Sequence, residues 1–235
     1  MQDMVRPDFE IVTFNPHLDA DFFSNLTIPA LLAESPRKPT MMGFNSLEAL
    51  FLTIEYPDSV FAFKGPLTIE APIPSGGGVG MPFFNRSQLV EFIRHQVHPR
   101  LGSRQSTPKP AAMELQDELL KLYAPEGNSS SKSKPKTNFI EEYTQLLSDV
   151  LFILPAIWEA QMKAATATES PIYLFEFDHL SKVHASRLPV KGVVHAAEYP
   201  YTVGTDIFGS YELIEEDRRL KEFMVDAITN FVKTG

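Results

Sequence analysis

Cysteine is absent from all 235 residues, which excludes disulfides, cysteine nucleophiles and thiolate metal sites. It leaves the compartment open. No run approaches the roughly 18 consecutive apolar residues of a membrane-spanning helix, so no membrane span is expected. Lysine and arginine number 21 against 30 aspartates and glutamates, a net charge of −9, and they are scattered rather than gathered into a stripe. Nucleic-acid binding therefore lacks its electrostatic footprint. The first eight residues, Met1 to Asp8, have neither the basic start nor the apolar centre of a secretion signal. Three Asn-x-Ser/Thr triplets, at Asn25, Asn85 and Asn128, nevertheless lean towards the secretory route.

What is present is enough for a core. Hydrophobic residues make up 43% of the chain, and its length suits one large domain or part of a bigger one. The first forty residues, rich in proline and aromatics, read as connecting structure draped over that core. Pro39 to Phe44 is a brief apolar run closed by glycine, which predicts a buried strand. Asn45 or Ser46 can then cap a helix through Ser46 to Leu52. Leu89, Phe92, Ile93 and Val97 have the spacing of an amphipathic helix over 86–96, and Leu115, Leu119, Leu120 and Leu122 repeat it over 113–123.

The longest helical signal runs from Phe139 to Thr166, with Pro155 expected to kink or split it. Ile172 to Phe177 is apolar and aromatic almost throughout, which predicts a strand covered on both faces. A loop over 178–189 leads to the next glycine, and Leu220, Phe223, Met224, Ala227, Ile228 and Phe231 mark a final helix over 217–233. The four prolines and three consecutive glycines of 66–82, and the serine-lysine stretch of 125–137, predict surface loops. Strands separated by helices give an α/β chain with a mainly parallel sheet. So few strands leave helix faces uncovered, so the chain is expected to be part of something larger.

The run Gly192-Val193-Val194-His195-Ala196-Ala197-Glu198-Tyr199 carries the clearest chemical signal, a single histidine after a small apolar stretch. A histidine acts as general base when a nucleophile lies on one side of its ring and an acid on the other. Glu198 is near in sequence, but three residues along a loop rarely lets a side chain orient its neighbour's ring, so it is assigned a buried hydrogen-bonding role. His179 and His184 beside Asp178 are read as loop polarity. His95 and His98 are read as a helix end at Pro99, since no third ligand is evident. No metal and no cofactor are expected, and the Gly76-Gly77-Gly78 tract ends in Gly80-Met81-Pro82 rather than the Gly-Lys-Ser/Thr of a phosphate loop.

Taken in order, four segments resemble the C-terminal half of the type-B carboxylesterase and cholinesterase family. They are Met42-Gly43-Phe44-Asn45-Ser46-Leu47-Glu48-Ala49, Pro171 to His179, Gly192 to His195, and Glu216 through Asn230-Phe231-Val232-Lys233-Thr234-Gly235. The resemblance implies an α/β-hydrolase fold, an incomplete sheet covered by helices, with Glu48 as the triad acid and His195 as the triad histidine. It also implies a serine mechanism on a small-molecule ester. Two departures fall beside these residues, Ala196-Ala197 and Ala49, where glycine or a polar residue is more usual. The nucleophile is a larger one. No Gly-x-Ser-x-Gly pentapeptide occurs in the 235 residues. The chain is accordingly expected to be the C-terminal portion, inactive alone, of an ester hydrolase whose N-terminal half holds the serine and oxyanion loop. The alternative is a non-catalytic esterase-like binding or adhesion module.

Overall fold

The computed structural model describes residues 26–36, 38–54, 80–97, 109–126, 135–166, 170–205 and 212–235, together with Asp21, Leu67 and Ile69. Of the first forty residues, read as connecting structure, the described part holds a helix at Ile28–Glu34, while most of the two surface loops read from the sequence lie outside the described residues. Two strands, β1 (Thr40–Asn45) and β2 (Ile172–Phe177), pair in parallel from Thr40 opposite Ile172 to Asn45 opposite Phe177. A parallel pair needs a crossover. Here the crossover contains α2 (Leu50–Thr53), α3 (Arg86–Phe92), α4 (Lys109–Tyr123), α5 (Ile140–Ser148) and α6 (Leu154–Thr166). Before β1 comes α1 (Ile28–Glu34), and after β2 come α7 (Lys182–Arg187), α8 (Tyr199–Thr202) and α9 (Glu215–Thr234).

The core follows the apolar spacing of the sequence. Leu50, Leu52 and Ile54 from α2, Leu89, Ile93 and Val97 from the α3 region, and Ile140, Tyr143, Leu146 and Leu147 from α5 are buried together. Polar groups among them are satisfied locally, as burial requires. The Tyr143 hydroxyl donates to the Leu67 carbonyl at 3.0 Å, and Thr53 and Thr144 share a 2.8 Å hydroxyl contact. Burial raises the Tyr143 phenol above its usual range.

Several sequence expectations are revised. The helix expected from Ser46 begins only at Leu50, and neither Asn45 nor Ser46 caps it: the Asn45 amide is committed elsewhere, and Ser46 Oγ accepts from the Val193 N–H at 3.4 Å. β2 is not covered on both faces, since Tyr173 and Leu174 remain 46% and 43% exposed and β1 is its only partner among the described residues. The loop over 178–189 contains α7. Phe223, read as part of the inward face of α9, is exposed.

The long helix is divided ahead of Pro155, as expected, though by no break in the chain of turns. Instead the stretch Asp149–Ile153 between α5 and α6 widens into a π-helical turn, in which the Leu154 N–H reaches back five residues to the Asp149 carbonyl. Proline has no N–H to give, and its ring presses on the carbonyl four residues earlier in a regular helix. A wider turn relieves that contact.

Candidate active site

The candidate residues lie just beyond the carboxyl ends of the two parallel strands, where ligands of α/β sheets gather. Two loops extend the pairing there. Ser46 N–H donates to the Phe177 carbonyl, Leu47 N–H to Val193 and His195 N–H to Glu48, at 3.3, 2.9 and 3.3 Å. Sequence positions 147 residues apart are thus laid side by side.

Glu48 is the anchor. Its side chain is 8% exposed, and a buried carboxylate must have partners. Oε1 accepts from the Asn45 N–H at 2.8 Å, and Oε2 lies 2.7 Å from His195 Nδ1. Asn45, itself buried, gives both hydrogens of its amide nitrogen to the histidine loop, one to the Val194 carbonyl at 2.9 Å and one to Glu198 Oε2 at 2.8 Å. The structure therefore brings together Glu48 and His195, both singled out from sequence, and gives Glu198 the hydrogen-bonding part assigned to it. Glu198 is half-buried rather than buried.

An ionised carboxylate has no hydrogen to donate, so His195 Nδ1 carries the proton and Nε2 keeps its lone pair while the ring is neutral. Nε2 has no hydrogen-bond partner among the described residues, and the His195 side chain is 48% exposed. Such a ring can take a proton from a group approaching Nε2. The hydrogen bond to Glu48 holds the His195 imidazole above its usual pKa; partial burial acts against it, and the charges of Glu48 and Glu198 add to the rise. With the folded value raised, the pair's contribution to stability is complete below about pH 6.5, the unfolded reference. It is lost as pH rises through the folded value.

Two small residues shape the loop. Ala196 has φ of 62°, the third residue of a turn closed by the Ala197 N–H on the Val194 carbonyl at 3.1 Å. That backbone conformation favours glycine, so Ala196→Gly is expected to raise stability by about 1 kcal/mol, read from a urea melt. Gly192 has the opposite sensitivity. A Cβ there would stand 2.6 Å from Leu47 Cβ and 2.5 Å from its Cδ2, and Leu47 precedes Glu48. Gly192→Ala is expected to cost about 1–3 kcal/mol. The same melt checks it, and a loss confined to within about 0.5 kcal/mol would show that Leu47 yields freely.

His179 is not loop polarity. Its Nε2 lies 2.8 Å from Oδ1 of Asp217, a carboxylate in the first turn of α9 with 0% exposure. The Tyr201 hydroxyl donates to the same oxygen at 3.0 Å, and the Ile214 N–H donates to Oδ2 at 3.1 Å. An aspartate at the third position of a helix, acting back on the residue before it, is a sequence signal that could have marked Asp217. Its pairing with His179 could not be read that way. His95 pairs with Glu91 one helical turn away at 3.0 Å, and no group of three metal-ligating side chains occurs among the described residues. The sequence reading also missed Asn45 as the bridge between the two loops.

A protein-family model described as the carboxylesterase family matches residues 1–235. Gut esterase 1 of Caenorhabditis elegans is 24% identical over 241 residues, covering 100% of this chain and 39% of the relative. Pyrethroid hydrolase Ces2a of Mus musculus is 27% identical over 180 residues, 70% of this chain and 30% of the relative. Acylcarnitine hydrolase of Rattus norvegicus is 30% identical over 96 residues, 40% of this chain. The chain thus spans well under half the length of the curated relatives it matches.

Proposed function

This chain belongs to the carboxylesterase family, and from that premise we propose that it is the C-terminal portion of a carboxylic-ester hydrolase, supplying the acid and the base of a serine mechanism. Glu48 is the acid. His195 is the general base, and the serine and oxyanion donors come from residues outside these 235. The single observation that carries this reading is the 2.7 Å contact between a buried carboxylate and Nδ1 of a histidine whose Nε2 is left to meet a nucleophile.

In the proposed reaction the serine hydroxyl attacks the ester carbonyl while Nε2 takes its proton, and the imidazolium then gives that proton to the departing alkoxide. Water deacylates the serine by the same two proton transfers in reverse order. Glu48 keeps the proton on Nδ1 and stabilises the imidazolium without itself being protonated. Because the His195 pKa is raised, the neutral base is gained at a higher pH than for an ordinary histidine.

The test uses the chain as it is. Hydrolysis of an unactivated ester, ethyl butyrate followed by acid release at constant pH, is expected to stay at the buffer rate and to be unchanged by His195→Ala. A rate above buffer that His195→Ala abolishes would overturn the proposal, because the nucleophile would then lie within this sequence.

A further inference from the structure

The Glu48–His195 contact holds one atom of the imidazole at 2.7 Å, and whenever that contact opens the ring can turn about its Cα–Cβ and Cβ–Cγ bonds. On a half-exposed side chain that freedom would move Nε2 by ångströms, a displacement that costs proton-transfer geometry heavily. The surroundings answer it. Rings of Phe51 and Phe152 lie 5.3 and 5.4 Å from the His195 ring centre, the first stacked at 28° and the second tilted at 42°. The two phenyl rings meet edge on at 6.4 Å. These distances place the two phenyl rings about 75° apart as seen from the imidazole, so both pack against the same part of the ring.

The helix that brings Phe152 also reaches the acid. Ser148, the last residue of α5 and 0% exposed, accepts at Oγ from the Ala49 N–H at 3.0 Å and donates to the Thr144 carbonyl at 2.8 Å. Ala49 is the residue after Glu48 and the cap of α2, with no side chain of its own to satisfy that turn. Residues four apart share a helix face. Ser148 and Phe152 therefore present one face, running into the wide turn ahead of Pro155, to both members of the pair. Wide turns of this kind recur at functional sites.

We propose that Ser148 and Phe152 are positioning residues for the pair, Ser148 fixing the turn that carries Glu48 and Phe152 fixing the ring plane of His195. The proposal rests on the reading of Glu48 and His195 as acid and base. It assigns no contact with substrate to either residue.

The experiment is nitrogen-15 and proton NMR of the His195 ring in the full 235-residue chain, following exchange of the Nδ1 proton with water. In Phe152→Ala the exchange is expected to quicken roughly two- to tenfold, the opening penalty that one aromatic pair contributes. Phe152→Tyr, which restores a ring, is expected to return it to the parent rate. Phe152→Leu retains bulk without a ring, is expected to keep the parent's far-ultraviolet circular dichroism, and is expected to behave as alanine does in the exchange. Ser148→Ala is expected to quicken exchange through the Glu48 turn. Parent-like exchange in folded Phe152→Leu and in Ser148→Ala would overturn the proposal. Parent exchange that is already unaffected by Glu48→Gln would instead sink the underlying pair.

Discussion

Asp217→Ala is expected to lower the stability of the chain by about 3–5 kcal/mol, since three hydrogen bonds to one buried carboxylate are lost at about 1–3 kcal/mol each. Three groups are left behind by that substitution, the His179 ring, the buried Tyr201 hydroxyl and the Ile214 N–H. For a chain of this size the corresponding fall in melting temperature is about 10 °C. Asp217→Asn keeps an acceptor for Tyr201 and is expected to cost less. A loss of under about 1 kcal/mol for the alanine variant would mean that the three donors find other partners.

The same carboxylate predicts how acid weakens the chain. Burial pushes the Asp217 carboxyl up, but hydrogen bonds from His179, from the Ile214 backbone and from Tyr201, with the charge of His179, outweigh it and hold the group below its usual value. With the folded pKa depressed, its contribution is complete above about 3.9, the unfolded reference. It disappears as pH falls through the folded value. Denaturant melts taken below about pH 4 are therefore expected to be steeper in pH for the parent than for Asp217→Asn. Equal slopes would contradict the assignment.

The larger kinetic effect belongs to Glu48. In the ester hydrolase proposed above, Glu48→Gln is expected to reduce kcat about 10⁴-fold, because an amide that donates to Nδ1 places the ring proton on Nε2, where the base must be free. KM is expected to change little, since the Glu48 side chain is buried, 8% exposed, and out of reach of a bound ester. The steady-state rates on a nitrophenyl ester decide it. A drop of less than about tenfold would remove Glu48 from the mechanism.

How much of this was legible in the sequence depends on range. The strand at Thr40–Asn45, the strand at Ile172–Phe177 and the helices read over 86–96, 113–123 and 217–233 follow from apolar spacing, which is a local property, although the second helix begins four residues earlier, at Lys109. The start of α2 did not, because a capping preference at Asn45 yields to two hydrogen bonds made across 149 and 153 residues. Exposure of Tyr173 and Leu174 was equally hidden: an apolar run is the same string whether its face is covered or bare. Within the site, the resemblance pointed to Glu48 and His195, and the structure sets them in contact. The positive φ of Ala196 explains in physical terms why glycine suits that position. His179 and Asp217, 38 residues apart, carried no spacing signal at all.

The central claim is that Glu48 and His195 act as one unit, and the ring nitrogens of His195 report it directly. A pH titration of the parent chain followed by nitrogen-15 NMR is expected to give an imidazole pKa above the usual histidine value, with the neutral ring protonated at Nδ1. In Glu48→Gln the pKa is expected to fall and the neutral ring to shift towards protonation at Nε2. A parent ring that titrates at the ordinary value, or one that does not respond to Glu48→Gln, would contradict the pairing on which the account stands.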